Sequence, residues 1–298
     1  VILAKLQTGE IGLAGLAVPL RAAYYTFSLG GAGLGFFTLL FGTRQRAGDA
    51  ARLRRWTAAA ALLGLLFGFA TIATHVAMLA EHGMPADSET WGIMLASGAG
   101  TSHALGGAGL LLLALSGFGA RWTWLAATGG LVVCASYVFM GHSTQVVPRL
   151  PVACLLSVHL AVAAFWLGSL PALLLVLQQG HGAAPIVETW SRAAMIAVPV
   201  LLAAGLALSW SILGSLRDLI RSGYGWALVA KVIGVTVMLG FAAWNRYRLT
   251  PAIAAAQPGA AQRLARSIAA EAIVALLVLY AAAEMTSTSP PGFPHRMH

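Results

Sequence analysis

Residues 140–171 read MGHSTQVVPRLPVACLLSVHLAVAAFWLGSLP. Met140-Gly141-His142 closes one apolar run, Pro148 and Pro151 bracket a short turn, and a second apolar run then carries His159 and Trp166. A run of this length without charge suits a helix that crosses a bilayer core about 30 Å thick. His159 and Trp166 lie seven residues apart, which is two helical turns, so their side chains share a face. An imidazole in a lipid-spanning helix is costly to place and marks a candidate functional site.

The rest of the chain extends the same pattern. It has 298 residues, of which 59% are hydrophobic and 9% charged, whereas a soluble domain carries about 25% charged residues. The mean hydropathy is +0.81. An integral membrane protein is therefore expected, with the lipid bilayer as its first partner. The formal charge of +9 does not argue for nucleic acid, because the basic residues fall in short gaps between apolar runs, where they orient a membrane protein. Cys134 and Cys154 both sit inside apolar runs, leaving neither a disulfide framework nor a CxxC metal motif. No basic segment followed by a small-residue cleavage site opens the sequence, so no signal peptide is expected. The Walker A pattern is absent, which argues against ATP hydrolysis by this chain.

Eight apolar runs are long enough to span, near 20–42, 56–80, 91–118, 122–141, 152–177, 194–215, 226–247 and 267–286. The predicted fold is an all-α polytopic membrane helical bundle of about eight transmembrane helices. Residues 1–18 contain Lys5, Glu10 and several glycines and read as an interfacial or re-entrant segment. Residues 19–141 form an N-terminal four-helix half, 142–287 a C-terminal four-helix half, and 288–298 a Pro-rich tail. Arg44, Arg46, Arg52, Arg54, Arg55, Arg121, Arg192, Arg246, Arg248, Arg263 and Arg266 fall on one side. Lys5, Arg21, Arg149, Arg217, Arg221 and Arg296 fall on the other. The positive-inside bias makes the first side cytoplasmic and turns both termini outward.

On this topology the histidines are not scattered. His75, His142 and His159 lie at similar depth in or beside the outer halves of three helices, His103 lies deeper, and His82 belongs to an outer loop. Met78, Met84, Met94, Met140 and Met285 are also near the outer face. His75, Met78 and His82 would line one face if their helix continues so far. Imidazole with thioether is a donor set suited to copper, since soft thioethers select Cu(I) and imidazole accepts either oxidation state. Magnesium and calcium call for oxygen donors. Against this stands a plainer reading, in which the methionines pack and the histidines hydrogen-bond neighbouring helices. The candidate metal ligands are His75, His142, His159, Met78 and Met140, with His103 and His82 beside them. Lys231 and Glu271 are charges within spans that need partners, and Arg192, Arg246 and Arg248 are within reach of Glu271. Structural pairing is the expectation there, with a proton or ion relay as the sharper alternative.

A set of motifs in the second half resembles one family. Gly141-His142, HLAVAAFWLGSLP at 159–171 and Trp190-Ser191-Arg192 are followed by Tyr224-Gly225 with Lys231. Then come Asn245-Arg246-Tyr247-Arg248-Leu249-Thr250-Pro251, Arg266-Ser267 with Glu271, and Thr286-Ser287-Thr288-Ser289-Pro290-Pro291. Together they resemble the copper resistance protein D (CopD) family of bacterial inner-membrane proteins. The resemblance implies a protein, not an enzyme, that takes copper from a periplasmic carrier of the CopC type and moves it toward the cytoplasm. It also implies that 245–251 and Arg266 with Glu271 are structural signatures. The expected cargo is therefore copper, as Cu(I) or Cu(II). The rival from another class is a haem b oxidoreductase, with His75 facing His159, or His103 facing His142, as axial ligands.

Overall fold

A computed structural model of the chain describes residues 13–81, 83–141, 144, 146–178, 180–212 and 223–287. Its helices are α1 (Leu13–Phe41), α2 (Ala47–Glu81), α3 (Ser88–Ala96), α4 (Gly98–Leu115), α5 (Thr123–Ser136), α6 (Arg149–Leu177), α7 (Ala184–Ile212), α8 (Gly223–Trp244), α9 (Thr250–Ala254) and α10 (Ala260–Ser287). Among the described residues, eight helices are long and apolar enough to cross a membrane.

The spans agree with the apolar runs and depart from them for local reasons. The run at 91–118 is broken at Ser97, which is extended (φ −71°, ψ 166°) and whose hydroxyl accepts from the Gly100 amide. Residues 88–96 become a short separate helix capped by Asp87, whose carboxylate accepts from the amides of Glu89 and Thr90. The Thr90 amide holds the exposed Asp87 carboxyl below the usual aspartate range. The crossing helix then runs Gly98–Phe118. At the start of the chain, α1 is already helical from Leu13, so 13–18 continue the first span; residues 1–12 lie outside the described residues.

Helix α1 is the centre of the bundle, packing on α2, α4, α5, α6 and α10. Its closest approach is to α6. A Cβ on Gly33 would fall 1.7 Å from the Ala164 carbonyl oxygen, and one on Gly168 would fall 2.3 Å from the backbone of Gly33 and Leu34. Only glycine at both positions lets the two backbones touch, the small-residue contact by which membrane helices pack without a hydrophobic driving force. Gly168 belongs to the WLGSLP motif, so part of that motif exists to seat α6 on α1.

The core has two layers along α1. Tyr24, Tyr25, Leu29, Ala32, Leu110, Leu113, Val133, Tyr137 and Ala283 form one. Leu34, Phe37, Phe41, Leu53, Trp166, Leu170, Leu173, Val176, Met238, Leu264 and Ile268 form the other. The alternating directions of the spans put the starts of α1, α4, α6 and α8 at one end with the finishes of α2, α5, α7 and α10. This is the end that the arginine distribution is expected to turn outward, the expected outer end. The spans formed by α7 and by α8 with α9 are the least buried, and their flanks expose Ile196, Leu206, Trp210, Trp226, Ile233 and Tyr247.

Between α8 and α9 the helix widens into one π turn at Asn245–Leu249. Pro251 lacks the amide that would bond the carbonyl of Tyr247, and its ring crowds that carbonyl, so the normal i−4 ladder cannot continue there. The Thr250 hydroxyl donates instead to the Asn245 carbonyl, at 2.9 Å. The NRYRLTP motif is thus a built-in distortion that turns Asn245 inward, where it is buried.

Candidate functional site

Three polar groupings lie inside this apolar frame. The first is at the outer end, around Arg21 of α1. Arg21 as a whole residue is only 7% exposed. Its Nη1 donates to the hydroxyls of Ser287 (2.6 Å) and Thr286 (3.3 Å) at the end of α10, and its Nη2 donates to His75 Nε2 (2.9 Å) on α2. Because arginine only donates, His75 Nε2 carries the lone pair and Nδ1 the proton. Beside it, Tyr24 stacks on His103 of α4 with ring centroids 4.8 Å apart. Tyr25 and Tyr137 meet edge to face, and Tyr25 shares a hydrogen bond with Thr286. The His103 ring donates Nδ1–H to the carbonyl of Ala99 (2.9 Å), an acceptor, which leaves its Nε2 as a buried lone pair with no hydrogen-bond partner among the described residues.

The second grouping surrounds His159 on α6. Its Nδ1–H donates to the Leu201 carbonyl of α7 at 3.1 Å. A carbonyl acceptor on Nδ1 fixes the tautomer and presents Nε2 as the free ligand nitrogen, the arrangement usual for metal-binding imidazoles. Gly205, one turn along α7, makes room for the ring, since a Cβ there would lie 3.0 Å from His159 Cε1. Lys231 of α8 is the charged neighbour of this imidazole.

The third lies in the inner layer. Glu271 of α10 is 1% exposed. The Trp166 indole N–H donates to its Oε1, and Asn245 Nδ2 donates to its Oε2 at 3.2 Å. The expected arginine partners are not used. Arg246 reaches Ser191 at 3.5 Å instead, and Arg192 is exposed. The carboxylate is thus held by one indole and one amide, and Trp166, which the sequence placed on the His159 face, serves Glu271.

The predicted ligands are therefore only partly brought together. His75 and His103 share the outer grouping on α2 and α4, with Arg21 between His75 and the end of α10. His159 engages a different pair of helices. Of the two rings in the haem pairing of His75 with His159, His75 has its Nε2 bonded to Arg21, while His159 is turned to α7 through its Nδ1. Helix α2 does continue to Glu81, which keeps His75 and Met78 on one face. Met78 and Met140 are half-buried, Met140 against the outer layer. His82 and His142 lie outside the described residues, as does the tail with His295, Met297 and His298. Among the described residues no group of three or more His, Cys, Asp or Glu side chains is placed to hold a metal ion. Arg21, Tyr24 and Asn245 are polar members of these groupings that sequence reading missed. Met238, buried in the inner layer, is a soft side chain it passed over.

Comparison with known proteins places part of this architecture. A family model described as CopD, copper resistance protein D, matches residues 184–285. The match begins at α7 and ends within α10, so it covers the Leu201, Gly205 and Lys231 surroundings of His159 and both Asn245 and Glu271. It agrees with the resemblance carried by the motifs of the second half. No curated protein and no solved structure matches the chain.

Proposed function

We propose that this chain handles copper in the bacterial inner membrane, binding the ion in the outer half of the bundle at His159 and passing it inward. The observation that carries this reading is the seating of His159 on the matched segment. A copper-resistance family model covers 184–285, and α6 presents to that segment an imidazole whose Nδ1 is tied to Leu201, which leaves the lone pair on Nε2. Cu(I) accepts few donors and favours imidazole with thioether, so a cluster of three hard or charged ligands is not required for a transit site.

In this reading copper arrives from a periplasmic carrier of the CopC type, engages His159 and the outer histidines, His142 among them, and moves by ligand exchange. The charge of Lys231 keeps binding at His159 weak enough to release. Soft groups in the inner half are scarce: Met238 is buried there and Met195 lies on an exposed flank. Glu271, to which no cation is bonded among the described residues, offers an inner-layer charge that attracts a cation descending from His159, about 10 Å above the level of Trp166. The chain performs no covalent chemistry, and both termini face the periplasm.

The test is accumulation of radioactive copper in cells expressing the full chain, the His159→Ala variant or an empty vector, with cytoplasmic and membrane fractions counted separately. Transport predicts excess copper in the cytoplasm that falls to the vector level in His159→Ala. Excess copper confined to the membrane fraction would indicate holding or delivery in place of transport. No excess in either fraction would contradict the proposal.

A further inference from the structure

We infer that the outer end of the bundle holds a small monovalent anion, a halide or a carboxylate, against Arg21. The inference does not depend on the copper reading. It rests on the condition of one charge. Arg21 is buried inside a membrane span, and among the described residues every group bonded to its guanidinium is a neutral acceptor: two hydroxyls and an imidazole nitrogen. Its Nε–H is buried and has no hydrogen-bond partner among the described residues. Hydroxyl and imidazole dipoles satisfy donors but do not cancel a charge. A buried charge without an opposite charge is costly, and such residues in membranes ordinarily pair.

The surroundings have the composition of an anion site. Arg21 supplies fixed positive charge and a free N–H. The Thr286 and Ser287 hydroxyls accept from Arg21 while donating to the Ala283 carbonyl (2.9 and 3.0 Å), so they hold the guanidinium in place without neutralising it. Tyr24 and Ser102, on the flank toward His103, have buried hydroxyl oxygens with no hydrogen-bond partner among the described residues. Ser287 is exposed and stands at the outer end of α10, which gives a solute entry without crossing the apolar layers. Among the described residues, the titratable groups that feel the Arg21 charge are Tyr25, His75 and His103.

The negative charge can come from solution or from the chain itself, where Glu10 and Glu284 are the acidic residues nearest in sequence to the two helix ends concerned. The experiment is thermal unfolding of the full chain in detergent, in gluconate buffer of constant ionic strength, with bromide or acetate replacing gluconate stepwise. The proteins are wild type, Arg21→Gln, and Glu10→Gln/Glu284→Gln. An anion bound from solution raises the wild-type midpoint by roughly 5 °C at about a hundredfold excess over Kd, saturably, and leaves Arg21→Gln unmoved. An anion supplied by the chain gives no response in wild type and a saturable response once both glutamates are neutral. No response in either protein, or an equal response in Arg21→Gln, overturns the inference. If Arg21→Gln does not fold, bromide-soaked crystals of the wild type and of Glu10→Gln/Glu284→Gln decide instead. An anomalous peak beside Arg21 in either supports the site, and its absence from both refutes it.

Discussion

Gly33→Ala is the most informative single change in the bundle. The added carbon would sit 1.7 Å from the Ala164 carbonyl oxygen, 2.6 Å from its carbon and 2.9 Å from the Gly168 nitrogen. All three obstacles are backbone, so no side chain can swing aside, and α1 and α6 must part by more than an ångström at their crossing. Overpacking a well-fitted interior costs about 1–3 kcal/mol; with main chain as the obstacle the upper end of that range applies. At a few degrees per kcal/mol this lowers the midpoint of thermal unfolding in detergent by roughly 5–10 °C. Gly240→Ala is the control, because a Cβ there meets nothing within 4 Å. Alanine in an unobstructed helix gains up to about 1 kcal/mol over glycine, so this variant should match or slightly exceed wild type. If Gly33→Ala and Gly240→Ala melt together, the close backbone crossing is wrong, and with it the placement of His159 relative to Arg21.

Other groupings give their own tests. Trp166→Phe leaves a buried Glu271 oxygen without its donor and should destabilise the protein by about 1–3 kcal/mol, whereas Glu271→Gln keeps an oxygen for the indole and should cost less; equal losses would contradict the hydrogen bond. Gly205→Ala, which brings a methyl to 3.0 Å from His159 Cε1, should weaken copper binding without removing a ligand. Lys231→Met, which removes a neighbouring positive charge, should strengthen binding by roughly threefold or more; opposite signs would remove His159 from the site. The Thr90 amide, bonded to Asp87, should show an NMR shift that titrates below the ordinary aspartate range. The sign follows from the depressed carboxyl: the cap is fully formed above the unfolded-state value and is lost as pH falls through the folded-state one. A midpoint at or above the ordinary range would refute the cap.

The spans were legible because lipid imposes length and apolarity on each one separately, and those are properties of a window of sequence. What neighbouring helices do to a residue is not. Arg21 reads as an outer loop charge, since its partners Thr286 and Ser287 are contributed by the last helix, 265 and 266 positions away. Depth along a helix was legible too. His75 and His159 each fall in the half of their helix nearest the same end of the bundle, but the direction each faces depends on packing, and packing turns one to α1 and the other to α7. Glu271 was recognised as a charge in need of partners. Its actual partner Asn245 faces inward because of the π turn forced by Pro251, and no hydrophobic periodicity reports a turn of that kind. The break at Ser97 was more accessible: Asp87 and Ser97 are both ordinary capping residues, but the apolar stretch across them hid the signal.

The most direct measurement is the metal content of the detergent-purified full chain after copper loading and desalting, with copper and iron determined together. Wild type is compared with His159→Ala and with the His75/His142/His159 triple alanine variant. The account predicts near-stoichiometric copper in wild type, little in His159→Ala and none in the triple variant. Near-stoichiometric iron with an intense Soret band, or copper retained in full by the triple variant, would contradict it.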